Sequence, residues 1–279
     1  MLRERGSGAG LLQSPAVKRP ALLAGLIAVP LLGLAGEARA QTRPLRTEQA
    51  ATAPAGSLVL EMGADAIGAE PNFLTGGERT RLDLPILRLV YSPSDSVEID
   101  LEWVGRVAAL EDPDFGDVSD WGDVSLRAKL RLREERPGRP GFGARFQITL
   151  PETSFGNGLG PNTLRMSAQL LASKSLGRFA VHGNLGLAIQ DEPLRAHEQR
   201  DFAHYGLALT AALGERWSAV AEVAGLAGNG APGADERGEL RAGLRFGTGR
   251  LRGDAAVRRG LTPADGEWGG TVGLTWFLR

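Results

Sequence analysis

The sequence contains no cysteine and only three histidines in 279 residues. The first absence excludes disulfides, thiolate metal sites, cysteine nucleophiles and lipid attachment through an N-terminal cysteine. The second leaves little for a histidine-based metal centre, and His182, His197 and His204 have no clustered partners at metal-ligand spacing. No metal and no cofactor is expected. Basic and acidic residues nearly cancel, 32 against 33, so no nucleic-acid partner is expected either. Beyond residue 40 no apolar run approaches the roughly 20 residues of a membrane helix.

The N-terminus stands apart. Lys18 and Arg19 precede the apolar stretch ALLAGLIAVPLLGLAG (21–36), and Ala38-Arg39-Ala40 follows. A basic region, an apolar core and an Ala-x-Ala site describe a secretory leader cleaved after Ala40. The alternative, an uncleaved anchor helix, has to work with a short apolar stretch. Removing residues 1–40 leaves 27 basic and 31 acidic residues in the exported chain. Residues 41–56, with two prolines and no periodicity, are expected to be a short disordered periplasmic segment.

From Ser57 onward the chain is a series of segments with period-two alternation and no helical period. About twelve strands are expected over residues 57–279. The connections alternate in length: SPSD (92–95), RPGRPG (136–141), SLGR (175–178), LGER (213–216) and GTGR (247–250) are short, whereas GAEPNFLTGG (68–77), the acidic EDPDFGDVSDWG (111–122) and PETSFGNGLGPNT (151–163) are long. Short turns at one end and long loops at the other is the layout of an outer-membrane barrel. The fold expected is all-β: a transmembrane antiparallel up-and-down barrel of about 12 strands, with short periplasmic turns and long extracellular loops. A soluble barrel with an oily interior shares the alternation but has no reason to sort its loops. Pro85 sits where the apolar face of 79–91 switches sides, which predicts a bulge there.

A bilayer-spanning barrel is apolar outside and polar inside. Val97, Ile99, Leu101 and Trp103 then face lipid, and Glu98, Asp100 and Glu102 face the lumen. By the same reading Arg127, Lys129, Arg131 and Arg133 are lumenal, as are Arg145, Arg165, Arg241 and Arg245. These cations either form an anion-attracting wall or pair across strands with the carboxylates beside them. Arg145 and Arg165 have no obvious acidic partner and are the stronger functional candidates. Two aromatic belts are expected: Tyr91, Phe142, Phe179, Trp217, Phe246 and Trp276 near the short turns, and Trp103, Trp121, Phe202 and Trp268 near the long loops. No catalytic residue is assigned: His182 and Asn184 face inward, and no serine with a recognisable motif accompanies them. GNGLG (156–160) lacks the lysine and the strand-to-helix setting of a phosphate loop.

The segments LPILRLVYSPSDSVEIDLEW (84–103), WGDVSLRAKLRL (121–132), FQITLPETSFGNG (146–158), SKSLGRFAVHGNLGLA (173–188) and GLTWFLR (273–279) resemble outer-membrane proteins labelled as belonging to the meta-pathway of phenol degradation. The chain has Pro151-Glu152-Thr153 where that family tends to show Pro-Thr-Gly. The resemblance implies a barrel of the outer membrane associated with uptake of small organic compounds, aromatic ones among them. It supplies no binding residues. The expected function is a passive channel or transporter, and the expected partners are outer-membrane lipid, the barrel-assembly machinery and a small organic solute. The alternatives are a closed structural or adhesive barrel acting through its loops and, more remotely, an outer-membrane enzyme.

Overall fold

The computed structural model describes residues 43–279, Thr248 in its backbone only. The expected leader, residues 1–40, lies outside the described residues. The strands are β1 (Leu58–Pro71), β2 (Glu78–Ser94), β3 (Val97–Val104), β4 (Val107–Asp112), β5 (Gly116–Asp120), β6 (Val124–Arg133), β7 (Gly141–Leu150), β8 (Arg165–Leu176), β9 (Phe179–Asp191), β10 (Gln199–Ala212), β11 (Trp217–Gly228), β12 (Arg237–Thr248), β13 (Leu251–Gly260) and β14 (Trp268–Phe277). Neighbours pair antiparallel throughout. β14 closes on β1 from Val59 opposite Phe277 to Ile67 opposite Gly269. The result is a closed barrel, which leaves no membrane-exposed edge.

Fourteen ladder segments make twelve wall strands, because β3 with β4 and β5 with β6 are each one wall strand interrupted at the same place. The interruption follows from Pro85. Proline has no N–H for the ladder, and β2 carries one extra residue between Asp83 and Ile86 relative to Gly63–Asp65 of β1. The bulge expected at Pro85 is present. Its ring crowds the neighbouring strand: a Cβ on Gly105 would lie 2.8 Å from Pro85 Cδ, and one on Gly122 would lie 2.5 Å from Val104 Cβ. Glycine at both positions lets the strands bend past one another. Backbone bonds still span the gap, from Gly105 N to Pro85 O (2.8 Å) and from Gly122 N to Val104 O (2.9 Å).

Alternation places the apolar face outside. Ile99, Leu101, Leu126, Phe146, Leu185, Leu207 and Val272 are exposed on the outer surface, while Glu98, Asp100, Lys129, Glu222, Glu239 and Thr275 are buried inside. In the short-turn belt Tyr91, Phe142, Trp217, Phe246 and Trp276 are exposed outward. In the long-loop belt Trp268 and Trp121 are exposed, with Trp121 stacked on Trp103 at 5.6 Å.

Three expectations are corrected. Phe202 is 1 % exposed and faces inward beneath the loops, because inward parity in β10 runs through residues 202, 204, 206 and 208. The acidic stretch 111–122 is mostly ladder: β4 and β5 form a hairpin whose loop is residues 113–115, since the alternation continues through Val118 beneath the charges. Finally, residues 43–56 are not a disordered periplasmic tail but thread into the lumen. The wall supplies partners for their backbone and charges.

Candidate functional site

The lumen is built from inward-facing side chains and a strand-less segment, and each needs the other. Residues 43–56 contain two prolines and pair with no ladder, so their buried N–H groups need acceptors from elsewhere. Wall side chains provide them. Ala55 N donates to Asp95 Oδ1 (2.8 Å), Ala53 N to Glu98 Oε2 (3.1 Å) and Ala50 N to Ser173 Oγ (2.8 Å). Asn184 brackets Glu48, accepting from its N–H and donating to its carbonyl, both at 2.7 Å. Glu222 accepts from Arg46 N and Thr47 N, each at 2.8 Å. Arg241 and Arg245 donate to the carbonyls of Pro44 (2.5 Å) and Arg43 (2.6 Å).

The charges of this plug match the wall. Glu48, 1 % exposed, meets Arg88 of β2 at 3.0 Å, Lys129 of β6 at 3.3 Å and Arg145 of β7 at 3.5 Å. Burial alone would raise its carboxyl, but Lys129, Arg88 and Arg145 outweigh that and hold it well below the usual carboxylate range. On the other side Arg46 reaches Glu239 of β12 at 2.8 Å, and Arg43 lies 3.5 Å from Asp254 of β13. Arg43 also donates to Thr271 Oγ1 (2.7 Å) and Val272 O (2.8 Å). Its guanidinium lies flat on the wall because Gly63 and Gly273 carry no side chain. A Cβ on Gly63 would fall 2.3 Å from Arg43 Cζ, and one on Gly273 2.3 Å from Nε.

The structure distributes the sequence candidates as follows. Arg127 pairs with the directly opposed Asp100 (3.0 Å) and diagonally with Glu102 (2.6 Å), and Lys129 with the directly opposed Glu98 (2.7 Å), between β3 and β6. Arg131 stands opposite Gly143 on the inner face. Arg241 and Arg245 hold the plug. Arg133 departs: a bulge after Arg131 turns it outward, over the Phe142 ring at 4.6 Å. Nor are Arg145 and Arg165 uncompensated. Glu48 faces the first, and Arg165 is ion-paired with Asp123. Asp123 also accepts from Glu152 N (3.0 Å), Thr153 N (3.1 Å) and Thr153 Oγ1 (2.8 Å), which ties the β7–β8 loop to the start of β6. Sequence reasoning missed Glu48, Arg43 and Arg46 altogether. The signal for them was there: a buried cation at 145 with no wall carboxylate to meet it.

Above the plug lies a cavity of about 520 Å³. Arg46 and Glu48 are at its floor, and Thr153, Gly160 and Pro161 of the β7–β8 loop border it at the other end. Leu159 of that loop is 1 % exposed and packs inward on Val107 and Ala109. The cavity wall combines an apolar patch, Ile67, Ile86, Val104 and Val107, with the paired charges of Arg81, Asp83, Asp123 and Arg165. Such a volume suits a small organic molecule. His182 bonds Ser173 through Nδ1 (2.9 Å), but Ser173 already accepts from the plug.

The family described as "Putative MetA-pathway of phenol degradation" matches residues 43–262, a span that includes both plug and barrel. The chain belongs to that family. Among solved structures it is similar to an outer membrane channel from Pseudomonas putida F1, at 19 % identity and a TM-score of 0.63, covering 82 % of this chain and 97 % of that one. That likeness shows the shared fold, a closed antiparallel β-barrel. The translocator domain of autotransporter NalP from Neisseria meningitidis is a more distant likeness, at 14 % identity and a TM-score of 0.45, covering 79 % of this chain and 88 % of that one. No curated protein matches the chain.

Proposed function

We propose that this family member is a passive outer-membrane channel for small organic solutes, aromatic ones among them, in which residues 43–56 act as an internal plug. The observation that carries the reading is the pairing of a cavity, partly apolar and of solute size, with a floor made by a segment that no ladder holds. Side-chain contacts fix that floor, so rearranging them opens a route without breaking the barrel. Family membership supports the solute class only through the family's description.

The reading includes cleavage after Ala40. Arg43 lies inside the lumen against Gly63 and Gly273, so cleavage there leaves two residues ahead of it. Intact mass of the outer-membrane form checks this. Assembly by the barrel-assembly machinery and a non-enzymatic role belong to the same reading.

The test is planar-bilayer conductance together with liposome swelling in small organic solutes, for residues 41–279 and for a form lacking 43–55. The expected result is small or rare steps for the first, and large steps with solute-dependent swelling for the second. Should the deletion not give a heat-modifiable barrel, Glu48→Gln replaces it. A folded, plug-released barrel that conducts nothing and swells no liposome overturns the channel. It would favour the second reading, a closed structural barrel working through its loops, which the filled lumen by itself also supports.

A further inference from the structure

The rim formed by the short turns carries a charge pattern that neither plug nor cavity uses. Arg133 lies over the Phe142 ring at 4.6 Å, and Arg178 lies over Phe179 at 5.0 Å. Arg216 directly precedes Trp217, which packs on Phe246 at 5.4 Å. Phe142, Trp217 and Phe246 are exposed on the outer wall, so the stacked guanidiniums sit on the lipid side of the barrel, away from its mouth. An exposed leucine adjoins each of these turns and the next one: Leu132, Leu176, Leu213 and Leu251 are 54–61 % exposed.

Leucine in the acyl region, an aromatic ring at the interface and an arginine at headgroup depth form an ordered sequence of anchors. Among the described residues none of Arg133, Arg178 and Arg216 has a carboxylate within ion-pair distance. Glu134 and Glu215, exposed next to Arg133 and Arg216 in the sequence, make no ion pair with them, and Glu135 is taken by Lys174 (2.9 Å) and Ser175. Arg136, Arg139 and Arg250 at the turn tips add further cations without ion pairs. The long-loop end has the opposite sign, with Glu111, Asp114, Asp117 and Glu152 exposed.

We infer that this rim binds anionic phospholipid of the periplasmic leaflet, Arg133, Arg178 and Arg216 gripping headgroup phosphates. A guanidinium matches phosphate with two parallel N–H donors. A free phosphate would gain nothing from the leucines and rings around each arginine, so the committed partner is lipid.

The experiment is native mass spectrometry of the folded chain, residues 41–279, in detergent with equimolar phosphatidylglycerol and phosphatidylcholine of identical acyl chains. Wild type is expected to retain phosphatidylglycerol preferentially, by a factor of about five for each engaged arginine. The triple variant R133Q/R178Q/R216Q is expected to fall towards parity. R195Q/R200Q, in a long loop, keeps the preference. Equal retention of the two lipids by wild type overturns the inference, a comparison that needs no variant to fold. An undiminished preference in a heat-modifiable triple variant also overturns it, as does complete displacement of phosphatidylglycerol by inorganic phosphate.

Discussion

The two sides of the lumen meet the plug with opposite chemistry. Across β2, β6 and β7, Arg88, Lys129 and Arg145 converge on one carboxylate, Glu48. Across β11 to β13, Glu222, Glu239 and Asp254 meet Arg43, Arg46 and the backbone N–H groups beside them. The basic side is a hub and the acidic side is distributed. A hub concentrates the consequence of one change, because cations brought together in low dielectric depend on the charge between them. A distributed set loses one contact at a time. The plug is therefore most vulnerable at its single acid.

Substitutions can break this contrast in order of effect. Glu48→Gln leaves Arg145 with no carboxylate partner. Disrupting a buried charge cluster in this way costs about 3–5 kcal/mol, so it should give the largest rise in single-channel conductance. Glu222→Gln weakens the acceptor for two plug N–H groups at a cost of about 1–3 kcal/mol, and a smaller rise in the same recording is expected. Gly63→Ala displaces only the tip of Arg43, a flexible side chain. It should cost about 1 kcal/mol and show as slightly more frequent openings.

Two null results sharpen the contrast. Glu102→Gln removes a partner of Arg127 that does not touch the plug, and conductance should stay at the wild-type level. Acidification is the second. A carboxylate whose folded-state pKa is depressed contributes fully above its unfolded value and loses that contribution only as pH falls through the lowered one. Glu48 is held well below the usual range, so lowering the pH from neutral to about 5 should leave its hold on the plug intact. Steps that grow over that interval in wild type but not in Glu48→Gln would place the carboxylate elsewhere.

Much of the fold was legible because a barrel repeats one rule along every strand: period-two alternation with connections sorted by length. The bulge at Pro85 was legible for a similarly local reason, a missing donor at the point where the apolar face switches. Residues 43–56 were not, since a segment without ladder or period leaves no local trace and its partners lie on ten strands distant in sequence. Arg145 and Arg165 show the limit from the other side. Their inward direction could be read from parity, but their partners Glu48 and Asp123 belong to a strand-less segment and a strand break. Arg133 was misplaced because one bulge after Arg131 reverses the parity on which its assignment rested.

The most direct test of the plugged lumen uses the absence of cysteine. Ala50 N lies 2.8 Å from Ser173 Oγ, so cysteines introduced at Ala50 and Ser173 form the chain's sole pair, and an oxidising envelope permits them to join. With the plug seated, the outer-membrane form should contain an intramolecular disulfide, with no thiol free for a membrane-impermeant maleimide and larger conductance steps absent before and after reduction. Two free thiols, both labelled at once in intact cells, would contradict a segment held inside the barrel.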